Sequence, residues 1–131
     1  MTNNPFAPSG QDPAFFVNVQ QGGDVEVVAP PPGVTSDQFL YYFTQPNQPV
    51  LYMTHSSLVE PGDTVLTGRQ IHTLGVALNA IQERFSAAYG PAAGHNGWYG
   101  MDVEFKFDDE DAADGLHALF VKQARPYPVL E

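Results

Sequence analysis

Thr67-Gly68-Arg69-Gln70-Ile71-His72-Thr73-Leu74-Gly75-Val76-Ala77-Leu78-Asn79-Ala80-Ile81-Gln82-Glu83-Arg84-Phe85-Ser86-Ala87-Ala88-Tyr89 is the stretch on which the fold turns. Ile71, Leu74, Leu78, Ile81, Phe85 and Ala88 recur at steps of three and four, which draws a single apolar stripe along a helix of about six turns. Thr67 and Gln70 have capping-box spacing at its start, and Gly90-Pro91 stops it. His72, Asn79, Gln82 and Glu83 fall on the other face, where His72 reads as a solvated side chain. A helix with one apolar stripe needs a surface to cover it, and the flanking sequence supplies strands.

Downstream, residues 90–100 form a glycine-rich loop, and Met101, Val103, Phe105 and Phe107 then alternate with Asp102, Glu104 and Lys106. That period of two predicts a strand over 101–107. Residues 108–115 are an acidic connection, and 117–125 is a last strand before Pro126. Upstream, Phe15, Val17 and Val19 alternate with Phe16, Asn18 and Gln20, a second strand. Gln21-Gly22-Gly23-Asp24 gives a turn, Val25 to Val28 a returning strand, and three prolines at 30–32 end the pairing. Thr35 and Gln38 repeat the capping-box spacing and predict a short helix through Phe43. Val50 to Thr54 reads as a strand and Pro61-Gly62-Asp63 as a turn. The expected architecture is α+β, an antiparallel sheet packed against one long amphipathic helix. Residues 1–13, rich in Asn, Pro and Gly, read as a flexible arm, and 14–128 as one domain.

Composition narrows the function. The 131 residues carry 5 Lys and Arg against 15 Asp and Glu, a net charge of −10. So few cations cannot form a phosphate-backbone footprint, so nucleic acid and anionic membrane are not expected partners. No apolar run approaches a membrane span, and no signal peptide is visible at the start. Zero cysteines exclude disulfides, thiol catalysis and Cys-ligated metals, and fit a cytoplasmic protein. His55, His72, His95 and His117 lie too far apart for a zinc motif. Ser56 and Ser57 sit beside His55 without the elbow a serine nucleophile uses. The acidic run 108–114 lacks the alternating ligands and central glycine of an EF-hand and reads as a solvated hairpin tip. Neither a phosphate loop nor a dinucleotide fingerprint occurs among the glycines.

The last hairpin stands apart. If Glu104 faces Gln123, then Asp102 faces Arg125 and Lys106 faces Val121. Asp102, Glu104, Gln123 and Arg125 then share one face. Opposite charges across a hairpin are ordinary sheet stabilisation. Hard oxygens beside a guanidinium are also what a magnesium–nucleotide site uses.

Met101-Asp102-Val103-Glu104-Phe105-Lys106-Phe107, followed by Lys122-Gln123-Ala124-Arg125-Pro126, resembles the end of the PEP/pyruvate-binding domain. That is the ATP-grasp-like nucleotide-binding domain of the pyruvate phosphate dikinase and phosphoenolpyruvate synthase family. Phe15 to Gly22, Thr54 to Thr67 and the long helix resemble earlier segments in the same order. The resemblance implies part of an ATP-grasp fold, with Mg–ATP as cofactor. It implies that Glu104 and Gln123 hold the metal, and that Glu104, Gln123 and Arg125 bind the nucleotide. Arg125 would assist phosphoryl transfer as the catalytic group. The family's phosphocarrier histidine belongs to a separate domain, so none of the four histidines inherits that role. The family's lysine- and arginine-bearing portion, which holds the phosphates, has no counterpart in these residues, and Gly23 stands where relatives tend to carry glutamate. Phosphoryl transfer is therefore expected to need a second polypeptide or further segment. The alternative is a non-catalytic, self-associating interaction module derived from the same fold.

Overall fold

The computed structural model describes residues 1–6, 12–22, 30–43, 49–89, 100–108 and 118–126. Strands β1 (Phe15–Val19), β2 (Asp37–Tyr41) and β3 (Val50–Thr54) form an antiparallel sheet with β2 in the middle. Helix α1 (Gly68–Tyr89) follows, and β4 (Met101–Asp108) and β5 (Ala118–Pro126) pair antiparallel as a second sheet. The chain is α+β, with two antiparallel sheets and one long helix. Phe15, Val17 and Phe39 of the first sheet meet Ile71, Leu74 and Leu78 of α1 and Met101 and Val103 of β4 in one buried cluster. The apolar stripe is thus shared between the sheets.

The helix start forms as its residue types require. Gln70 N–H donates to Thr67 Oγ1 at 3.2 Å, and Thr67 N–H donates to Gln70 Oε1 at 2.9 Å. That reciprocal pair satisfies two amides the helix cannot bond itself. One turn further, Gly75 permits a close approach: a Cβ there would sit 2.3 Å from Tyr41 Cε1. In an open helix Gly→Ala gains about 1 kcal/mol. Here Gly75→Ala should instead destabilise by about 1–2 kcal/mol, because the methyl must displace the Tyr41 ring. Urea unfolding of Gly75→Ala and of Gly75→Ala/Tyr41→Ala checks this. The second change should make the methyl favourable, and a stabilised single variant would refute the argument.

The short helix expected over 35–43 is a strand. Phe39 pairs with Val17 on one side and Tyr52 on the other, while Gln38 faces Asn18 and Thr54. Instead of capping, Thr35 Oγ1 donates to the His55 carbonyl at 2.8 Å. Three successive large residues, Phe39, Leu40 and Tyr41, suit a central strand better than the four-residue cap signal suits a helix. The returning strand read at 25–28, the acidic stretch 109–115, and all but the last residue of the 90–100 loop lie outside the described residues.

The first residues, read as part of a flexible arm, lie against the body. Met1 exchanges both backbone hydrogen bonds with Phe16, at 2.8 and 3.0 Å. Thr2 N–H donates to the Met101 carbonyl at 2.9 Å, Met101 N–H donates to Thr2 Oγ1 at 2.7 Å, and the Thr2 hydroxyl donates to Gln82 on α1. Thr2, Asn3 and Asn4 are buried. This segment ties β1, α1 and β4 together.

Candidate functional site

Strand alternation puts Asp102, Glu104 and Lys106 on the side of β4 opposite the buried Met101 and Val103. The register sets Glu104 opposite Gln123, the pairing supposed above, and with it Asp102 opposite Arg125. Beyond Glu104 the pairing slips by one: Phe105 faces Val121, and Lys106 faces Phe120 rather than Val121. Lys122 is the extra residue of a β-bulge, a device that re-aims neighbouring side chains. As a result, Lys106 Nζ lies 5.5 Å from the centre of the Phe120 ring.

Arg125 donates from Nε and Nη2 to the same Asp102 oxygen, at 3.3 and 3.2 Å. Both side chains are substantially solvated, so this pair is worth under about 1 kcal/mol to the fold. Glu104 and Gln123 are exposed. Lys106, Lys122 and Arg125 make three of the chain's five cations. They offset the three acids of β4 and β5, so these strands are neutral while the net −10 resides elsewhere. The hairpin forms one wall of an open groove of about 1840 Å³, which also lies along Phe16–Gly22 and residues 57–67.

Among the described residues no group of three or more His, Asp or Glu side chains is gathered to hold a metal. Glu104 and Gln123 offer two oxygen donors from facing positions. Mg²⁺ commonly takes one or two protein oxygens and completes its shell with phosphate and water, so this pair fits that ion. When bound, the ion would neutralise phosphate charge, and Arg125, beside the pair, would add a guanidinium.

A second polar network lies where β2 begins. Asp37, wholly buried, accepts the Ser56 N–H on Oδ1 at 2.6 Å and the Val65 N–H on Oδ2 at 2.7 Å. His55 Nδ1 lies 4.0 Å from Oδ1, and its ring stacks on Tyr52 with centroids 5.1 Å apart. Burial raises the Tyr52 phenol above its ordinary pKa, an effect a hydrogen bond with Thr64 opposes. Ser56 Oγ bonds Gln20 and accepts Leu58 N–H at 3.1 Å, which commits that hydroxyl to the loop rather than to His55. The only sequence signal was three cap-forming residues in a row, Thr35-Ser36-Asp37.

No protein-family model, no curated protein and no solved structure significantly matches this chain.

Proposed function

We propose that this chain is a partial Mg–nucleotide-binding module, similar to the C-terminal part of the PEP/pyruvate-binding, ATP-grasp-like domain. Phosphoryl transfer would require a further segment or a second polypeptide. The observation that carries the reading is the register setting Glu104 against Gln123 and Asp102 against Arg125 on a wall of the groove. Glu104 and Gln123 would ligate magnesium, and Arg125 would meet phosphoryl charge as the catalytic group. With a net charge of −10, the chain repels ATP⁴⁻ at long range, so the remaining phosphate-holding cations must come from the complement. Its cysteine-free composition supports a cytoplasmic setting.

A ligand that binds only the folded state stabilises it by RT ln(1 + [L]/Kd). For a Kd near ~1 mM and ligand at ~10 mM the gain is about 1.4 kcal/mol, a shift of several degrees in Tm. Protection should require magnesium, vanish in Glu104→Ala and weaken in Arg125→Ala. Glu83→Ala, on the exposed face of α1, should leave it intact. Protection that survives Glu104→Ala would place the nucleotide elsewhere.

A second reading, a self-associating interaction module, draws support from β3. This uncharged strand ends its sheet among the described residues and exposes Leu51 at 52% and Met53 at 43%. Such an edge invites pairing with another chain. Sedimentation of the chain and of Leu51→Lys decides between them. A monomer at high concentration that also shows magnesium-dependent protection supports the nucleotide module alone. Among the described residues no helix is long and apolar enough to cross a membrane.

A further inference from the structure

The groove wall facing the β4–β5 hairpin is a loop, and a single side chain closes it. Segment 56–65 has the length of a compact Ω loop, whose ends lie close together. The Asp37 carboxylate takes one amide from each end, Ser56 on Oδ1 and Val65 on Oδ2. Only a carboxylate offers acceptors on both arms; asparagine of the same shape offers one acceptor and one donor. A wholly buried carboxylate is costly unless its oxygens are satisfied, which these two amides do.

The rest of the loop has unequal support. Near its start, Ser57 exchanges hydrogen bonds with Thr35 at 3.0 Å in each direction, and Ser56 Oγ bonds Gln20. Little packing helps further along: Leu58 is 45% exposed and Glu60 to Thr64 are exposed. Leu66 is buried in the core and Thr64 bonds Tyr52, so the loop's exit is anchored, and Asp37 is the side chain that ties that exit to the Ser56 end.

We infer that Asp37 is a positioning residue for the groove: it sets how far the 56–65 loop stands from the hairpin, and so the width available to a ligand. The ligand's identity rests on the nucleotide reading above; the geometry does not.

The absence of cysteine makes the test clean. Spin labels at Glu60→Cys on the loop and Lys122→Cys on the bulge report the distance across the groove. With Asp37 in place the distribution should be narrow. In Asp37→Asn it should become about twice as wide, and exchange of the Val65 amide should accelerate about 100-fold. Protection at Leu74 and Leu78 on α1 should persist. A distribution as narrow as the parent's overturns the inference. If Asp37→Asn fails to fold, Asp37→Ser, which keeps one oxygen and cannot reach both amides, must broaden the distribution likewise; an unchanged width overturns the inference there too. Mg–ATP at millimolar concentration supplies the second arm, its Kd rising about tenfold in Asp37→Asn. A parent chain that ignores Mg–ATP rules out nucleotide binding by the chain without its complement, while the distance measurement still decides the role of Asp37.

Discussion

Phe39→Ala should destabilise the protein by about 3–5 kcal/mol, the usual cost of emptying a buried phenylalanine site. Phe39 has no exposed surface and sits in the central strand of the first sheet, between Val17 and Tyr52. Its ring centre is 5.1 Å from that of Tyr52. Three neighbouring layers lose contacts at once, so the cavity has no simple way to collapse. A domain of this size is stable by roughly 5–15 kcal/mol, so the variant should melt far lower or remain unfolded. Phe39→Leu should recover much of the loss, and Leu51→Ala on the solvated edge strand should stay within about 0.5 kcal/mol of the parent. Urea midpoints for the three variants check the ranking. A Phe39→Ala cost below about 1 kcal/mol would contradict the placement of the core.

The second large effect is a pH dependence. The Met1 α-amino group donates to the Phe16 carbonyl at 2.8 Å, and its pKa falls from 8.0 to about 6. Burial is the main cause, and the Asp102 carboxylate partly opposes it. Above the unfolded value the amine is neutral in both states, so the stability it permits is fully present. As pH falls toward the folded value, the unfolded chain takes up a proton that the folded one resists, and stability is lost. A two-unit difference amounts to about 2 kcal/mol between pH 8 and 6. Denaturant unfolding at these two pH values should show the loss when the chain ends in a free amine at Met1. Amino-terminal acetylation removes the titrating group and should flatten that part of the profile. The same slope in acetylated protein would refute the assignment to Met1.

Sequence made α1 legible because its signals are local: Thr67 and Gln70 cap it, and its stripe repeats within each turn. The same cap chemistry misled at Thr35 and Gln38, since hydroxyl and amide side chains bond backbone groups wherever they meet them. The deciding fact, Phe39 lying between two other strands, is tertiary. The hairpin register was readable as far as Glu104, where charge pairing constrains it. It was lost at Lys122, because no glycine marks the bulge there. Of the candidate site, cross-strand spacing gathers Asp102, Glu104, Gln123 and Arg125 on one face, and the family resemblance singles out Glu104, Gln123 and Arg125 among them. Asp37 was not found, since its partners stand 19 and 28 positions away. No periodicity reports contacts of that kind.

Thr2 and Met101 are joined across 99 positions. Closing a flexible chain of that length costs about 4 kcal/mol in the length-dependent term alone. Hairpins and helix, which close over short spans, can form before that cost is met. The Thr2–Met101 junction is therefore expected to form late, with its hydrogen bonds absent from the transition state. Interactions of that kind leave the refolding rate almost unchanged and govern how fast the native state comes apart. Thr2→Ala should then shorten the lifetime of the folded molecule, and of the groove between its sheets, while leaving its refolding rate nearly unchanged.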